Sequence, residues 1–355
     1  MSESNGSRNP PILRCPIPAS KNELIVLGHG SGGRLTADLV NNVFLPALTN
    51  PVLDRLADSA ELNVSSGRIV FTTDSFVVKP LRFPGGDIGS LAVHGTINDL
   101  AVAGGTPLAL SAAFILEEGF PIDELAGFVR SMREAADRAR VSIVAADTKV
   151  VERGKADGLY ITTSGIGLLP QGLELGPEQI QAGDVVLVSG PIGDHGIAVM
   201  SAREGFEFET DLVSDSAPIN GLVASMLEAV RGIRCMRDPT RGGVATVVNE
   251  LARSASAEIL LEEAAVPVRD SVRAACEILG LDPLYVACEG RLVAIVDAAF
   301  SEHLLAVMRS HPLGRDACRI GAVTRTGSSR VLLRTSLGTT RLLDILAGSQ
   351  LPRIC

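Results

Sequence analysis

PIDELAGFVRSMREAADRARVSIVAAD, residues 121–147, runs from an amphipathic helix straight into an apolar strand. Over 121–140, Leu125, Phe128, Val129 and Met132 recur at three- and four-residue spacing with charges opposite, which predicts a helix with one buried face. VSIVAAD (141–147) has the unbroken apolar character of a buried strand, ending at Asp147. Working outward, GLYITTSGIGLL (158–169) predicts another strand and RIVFTTD (68–74) one that ends at Asp74. ELIVL (23–27) is strand-like, RLTADLVNNVFLPAL (34–48) has helical periodicity, and a further helix is predicted from about Ile88 through Ala103.

A stretch rich in Gly, Pro and Gln near 170–183 marks a boundary, after which the pattern restarts. DVVLVSG (184–190) is a strand, the glycine-punctuated GPIGDHGIAVMSARE follows, and DPTRGG (238–243) leads into a helix through Ala252. Strands are expected near 284–297, and the chain looks extended from Ser328 to Leu343. Interleaved strands and helices in both halves predict an α/β or α+β protein of two similar-sized domains. The expected divisions are a flexible extension over 1–20, domains over 21–170 and 171–327, and a tail over 328–355.

The 355 residues carry a formal charge of −9, with ten Phe, two Tyr and no Trp. Such a chain lacks both the basic footprint for duplex nucleic acid and the stacking platform for single strands. Six scattered cysteines with no C-x-x-C pair support neither a zinc ribbon nor a disulfide scaffold. The uncharged run Leu100 to Leu116 has 17 residues, short of the ~20 that span a bilayer, and Pro107 interrupts it. With no apolar leader in the first 20 residues, a reducing cytoplasm is the expected compartment.

Gly28-His29-Gly30-Ser31-Gly32-Gly33 contains G-x-G-x-x-G between a strand and a helix. The dinucleotide reading fails because the next convincing strand ends at Asp74, 41 residues past Gly33. A glycine loop closing over phosphates and a plain turn both remain. Asp74, Asp99, Asp147 and Asp238 lie at expected strand ends or in glycine-flanked loops. Together they could hold metal–ATP, although singly each suits a cap or a turn. His94 and Asn98 share a helical face at i, i+4. Lys149 reads as a partly buried base or as an anion's partner, and Glu289 as a general base or a salt-bridge partner. Arg241 and the amides of the 238–243 loop suit an anion at a helix start. Cys355, the last residue, follows Leu351-Pro352-Arg353-Ile354; it is either a thiol carrier that swings into a distant site or the end of a frayed tail.

Taken in order, HGSGG (29–33), FTTDSFVV (71–78), FPGGDIG (83–89), TINDLAVAGG (96–105), DTKVVERG (147–154), VSGPIGDHG (188–196), DPTRGG (238–243) and LPRIC (351–355) resemble one family. It is the HypE family of hydrogenase-maturation carbamoyl dehydratases, within the PurM-like, AIR-synthase-related ATP-binding superfamily. The resemblance covers about residues 23–355, and the terminal PRIC is its most specific part; Ala146 departs from the family's usual Gly. It implies an α+β, two-domain PurM-like architecture: an N-terminal dimerising sheet domain, a C-terminal α+β domain and a mobile tail. It also implies ATP-dependent dehydration of a carbamoyl group on Cys355 to a thiocyanate. A HypF-type carbamoyltransferase would be the donor and a HypC–HypD complex the cyanide acceptor. Asp74, Asn98, Asp99, Asp147, Thr148, Asp238, Thr240, Arg241, Gly32 and Gly33 become candidates for binding ATP. Of these, Asp74, Asp99, Asp147 and Asp238 become candidates for Mg²⁺. Cys355, Lys149, Glu289 and His94 become candidates for catalysis. The alternatives are a PurM-like ligase or kinase acting on a free small molecule, and a non-catalytic assembly factor.

Overall fold

The computed structural model describes residues 24–26, 29, 34–51, 53–55, 67–204, 212–346, 351 and 354–355. The N-terminal half builds a four-stranded sheet from β1 (Ile69–Phe76), β2 (Thr106–Glu117), β3 (Ser142–Val151) and β4 (Leu159–Leu168), in the order β1-β4-β2-β3. The central β2 pairs antiparallel with β4 and parallel with β3, so β2 and β3 need a crossover. That crossover is α2 (Ile122–Ala139), whose buried Leu125, Phe128, Val129 and Met132 are the expected face.

Against the same sheet face lies α1 (Ile88–Val102), and 14 of its 15 residues are buried. IGSLAVHGTINDLAV is apolar around its whole circumference, as befits a helix wedged between two layers. It starts at a capping box in which Asp87 Oδ1 accepts from Ser90 N–H and Ser90 Oγ accepts from Asp87 N–H. Two glycines let it sit that close: a Cβ on Gly89 would stand 2.3 Å from the Phe128 carbonyl oxygen, and one on Gly95 would stand 2.8 Å from the Phe76 ring.

Among the described residues, no helix covers the other face of this sheet. Ile69, Phe71 and Ile115 are exposed there, Phe71 by 63%. Alternation along the strands puts Thr73, Ser75, Asp147 and Lys149 on the same open face.

The C-terminal half adds β5 (Val185–Val188), α3 (Asp194–Glu204), α4 (Asn220–Ala229), β6 (Ile233–Arg237) and α5 (Gly243–Ser254). After these come β7 (Ala257–Glu262), α6 (Asp270–Leu279), β8 (Val293–Val296), α7 (Ala298–Ser310), β9 (Cys318–Thr326), β10 (Arg330–Arg334) and β11 (Thr340–Leu343). Its seven strands run β11-β10-β7-β9-β5-β8-β6. Both faces of this sheet are covered. Val186 and Val188 enter one core with α5, while Val185 and Leu187 enter another with α4 and α7. Ala101 and Val102 of α1 join that second core, tying the two halves together.

Three expectations change. Of ELIVL, the described residues 24–26 make an isolated bridge, Leu24 with Pro121, and Ile25 exchanges backbone hydrogen bonds with Gly119 and Phe120 rather than joining the first sheet. Asp74 and Asp147 sit inside their strands, since pairing continues to Phe76 and Val151. Residues 330–343, assigned to the tail, are held in the second sheet by parallel pairing of β10 with β7. The 1–20 extension lies outside the described residues.

Candidate functional site

A cleft of about 660 Å³ opens between the two halves, walled by β1 and α1 on one side and by β6, the 238–242 loop and α5 on the other. One end is apolar, lined by Val102, Leu175, Pro177, Met236, Val247 and Leu251. Arg237 and Arg241 also line the cleft, and α5 lines it with Thr246, Val247, Glu250 and Leu251. The residue before that helix is Gly242, in the left-handed region at φ 76°, and no side chain caps the helix.

The opposite end is acidic. Asp74 Oδ1 accepts from Ser75 N–H at 2.8 Å and stands 3.9 Å from the Arg241 guanidinium. Asp99, on α1, accepts from Thr72 Oγ1 at 2.8 Å. Burial raises the carboxyl pKa of both, offset in part by those hydrogen bonds and by Arg241. Asp238 is pushed up to about 7 by burial and by the nearby Asp99. Glu289 is pushed well above the usual carboxylate range by burial first, then by Asp238, Asp215 and Asp74. Its Oε1 is buried and has no hydrogen-bond partner among the described residues. Negative charge here exceeds the positive charge that faces it, so the site favours protons or an incoming cation.

Cys355 completes this end. Its main-chain carboxylate oxygen accepts from Val77 N–H at 3.3 Å, and Ile354 is buried in the N-terminal core. The thiol pKa is strongly raised, by burial first and by Glu289 next, with Arg241 opposing. The last residue is thus docked, half-buried, beside Glu289, Asp74 and Asp238.

Glu289 is fixed from behind. Its backbone N–H donates to Asp215 Oδ1 at 3.0 Å, and Arg291 holds Asp215 and Asp194 at 3.5 and 3.9 Å. Asn98 donates through Nδ2 to the carbonyls of Glu289 and Ala217, and its Oδ1 accepts from Ile219 N–H. Both polar atoms of this side chain have partners within the chain, and through them Asn98 braces the Glu289 backbone.

Other expected site residues are not brought into this cleft. His94 lies on another face of α1, with Nδ1 2.9 Å from Ser216 Oγ, and lines a separate cavity of about 1030 Å³. Burial and Arg138 lower its pKa to about 3, which leaves a neutral imidazole. Asp147, Thr148 and Lys149 are on β3, at the far edge of the sheet from Asp74. Three strand spacings of ~4.8 Å separate those edges by about 14 Å. Asp147 and Lys149 moreover take the open face, whereas Asp74 faces α1. Lys149 is exposed and pairs with Asp147 at 3.2 Å, so it is not the partly buried lysine expected. Within one chain the four aspartates do not converge; three do. Thr240 lines the cleft with Asp238, and Gly32 and Gly33 lie outside the described residues.

Among the described residues, no three His, Cys, Asp or Glu side chains are close enough to cage a metal. Mg²⁺ does not require a cage, because it takes one or two carboxylates plus substrate phosphates. The acidic end, with its orphaned Glu289 oxygen, fits such a cation. His195 and Asp215 were missed in the sequence: the first was quoted only as part of VSGPIGDHG (188–196) with no role given to it, and the second stood in no recognisable motif.

The AIR synthase related protein N-terminal domain family matches residues 57–169, and the corresponding C-terminal domain family matches 181–334. A protein named carbamoyl dehydratase HypE, from Azotobacter vinelandii, is 54% identical over 335 residues, covering 94% of this chain and 98% of its own. A crystal structure of the hydrogenase maturation protein HypE in complex with ATP superposes with a TM-score of 0.90 at 46% identity, over 93% of this chain and 99% of that one. A HypE–HypF complex structure matches at TM-score 0.76 and 47% identity, over 88% and 100%.

Proposed function

Because the chain belongs to the HypE family of AIR-synthase-related proteins, we propose that it dehydrates a carbamoyl group carried on its own Cys355, using ATP. One observation carries this reading: the half-buried Cys355 thiol lies within electrostatic reach of Glu289 and of Asp74, Asp238 and Arg241, and the last three line the interdomain cleft. In overall balance S–C(=O)–NH₂ becomes S–C≡N, the oxygen leaving as part of phosphate and both N–H protons being lost. Bound Mg–ATP would supply the phosphoryl group that makes the amide oxygen a leaving group, with the metal offsetting phosphate charge.

The chain's residues supply the rest. The apolar residues of the cleft accept a nucleoside base, while Arg237 and Arg241 face its phosphates. Asp74, Asp99 and Asp238 are the carboxylates within reach of a cation at that point. Glu289 receives an amide proton at its unpartnered Oε1. A carboxylate with a raised pKa is a stronger base than a surface glutamate once ionised.

Asp147, Thr148 and Lys149 enter through a second copy of the chain. The open sheet face carries the exposed Ile69, Phe71 and Ile115 together with Asp147 and Lys149. Phe71 and Thr73 on that face also line the cleft, so the cleft reaches the open surface. A partner packed sheet to sheet would cover the apolar residues and bring its own Asp147 and Lys149 to this cleft. Mixing inactive Asp147→Asn and Asp238→Asn chains should then restore up to about a quarter of wild-type activity, because each mixed dimer would hold one undamaged site. Activity that stays at the level of the separate variants would exclude a shared site.

The donor is a HypF-type carbamoyltransferase, as the complex formed by a relative suggests. A HypC–HypD complex is the proposed acceptor, supplying hydrogenase iron with cyanide. No described helix is long and apolar enough to cross a membrane, and Cys235, Cys276, Cys288, Cys318 and Cys355 are free thiols, which suits the cytoplasm. The reading is tested by phosphate release. Pre-carbamoylated chain should release one phosphate per carbamoyl group in a burst, and unloaded chain should show none; equal release from both would refute it.

A further inference from the structure

The docked tail is held by more than its apolar anchors. His195 Nε2 lies 2.9 Å from the Ile354 carbonyl oxygen. A carbonyl only accepts, so the imidazole proton is on Nε2. Burial takes His195 down to about 4, which leaves the ring neutral and Nδ1 bare. Ser214 Oγ, 2.8 Å from Nδ1, therefore donates to the ring, and it accepts from Ser216 N–H at 3.0 Å. Phe83 packs edge-on at 5.3 Å and 87°, fixing the ring plane. From Ser216 through Ser214 and His195 to Ile354, every proton has one possible place.

We propose that His195 is a positioning residue for the tail: its Nε2–H latches the Ile354 carbonyl so that Cys355 stays at the cleft, and release of the latch exposes the thiol to the carbamoyl donor. The second half of this inference rests on the function proposed above. The two steps require opposite tail positions. A docked thiol, held un-ionised by burial and by Glu289, is a poor nucleophile, because the thiolate is the attacking form. Once loaded, the same tail must return to the cleft for dehydration. Weakening the latch should therefore speed the first step and slow the second.

The test reads tail position without any partner protein. The full chain is treated with iodoacetamide at fixed pH, and alkylation is followed on the Cys355 peptide by mass spectrometry. His195→Ala should be alkylated roughly tenfold faster than wild type, the scale of one lost buried hydrogen bond. His195→Gln, whose amide N–H can donate to the same carbonyl, should restore slow alkylation. Ser214→Ala, which removes the hydroxyl that fixes the tautomer, should give a smaller rise and serves if His195→Ala does not fold. Folded variants that are alkylated at the wild-type rate, or a glutamine variant as fast as alanine, would overturn the latch. With the carbamoyltransferase added, His195→Ala should load at least as fast as wild type and dehydrate roughly tenfold more slowly. Equal loss of both steps would mean a merely structural role. If alkylation shifts as expected but wild-type Cys355 never accepts a carbamoyl group, the latch stands and the proposed function falls.

Discussion

Glu289→Gln should give a chain that accepts the carbamoyl group on Cys355 and then stalls, with dehydration slowed by roughly 10²–10⁴, the range lost with a general base. The side chain is 2% exposed, its Oε1 is free, and it is the foremost charged neighbour of the thiol. Glutamine keeps the volume and the backbone contacts to Asp215 and Asn98 while removing the proton acceptor. Stability should change little, because burial already disfavours the ionised carboxylate and an amide resembles its neutral form. Single-turnover mass spectrometry of pre-carbamoylated chain separates stalling from failure to load. Dehydration at the wild-type rate would remove Glu289 from the mechanism.

Cys355→Ala has the second large effect, and it is all-or-none. Only the thiol carries the group, so the variant should show no carbamoyl adduct and no ATP-dependent loss of water. The cleft is built from β1, α1, β6 and α5, none of which depends on the thiol, so ATP affinity measured by calorimetry should stay within about twofold. Adduct formation on the variant would place the carrier elsewhere. Unchanged turnover of a free small molecule would favour the ligase or kinase alternative.

Much of this was legible in the sequence because periodicity reports burial. The helix over 122–139 formed as expected, and the strand expected over 141–147 formed but ran on to Val151, since a single apolar stripe and a continuous apolar run each have one stable placement. Which way a functional side chain points was less legible. His94 and Asn98 share a helical face, but α1 is buried all round, and only its neighbours decide that Asn98 braces Glu289 while His94 meets Ser216. Asp147 was read as an end-of-strand ligand beside Asp74. Alternation along β3 fixes it on the face opposite its neighbour Ala146, but which face stays open depends on where α1 and α2 pack. The His195 contact joins residues 159 apart, and the docking of Cys355 against Val77 joins residues 278 apart, which no local pattern encodes.

The central claim is that Cys355 carries the group that ATP dehydrates. Intact-protein mass spectrometry tests it directly, on chain pre-carbamoylated by the carbamoyltransferase and then freed of nucleotide, before and after Mg–ATP is added. The account predicts one carbamoyl adduct, mapped to the Cys355 peptide, that loses one water only when Mg–ATP is added. A tail that stays unmodified beside an active transferase, or an adduct that loses water without ATP, would contradict it.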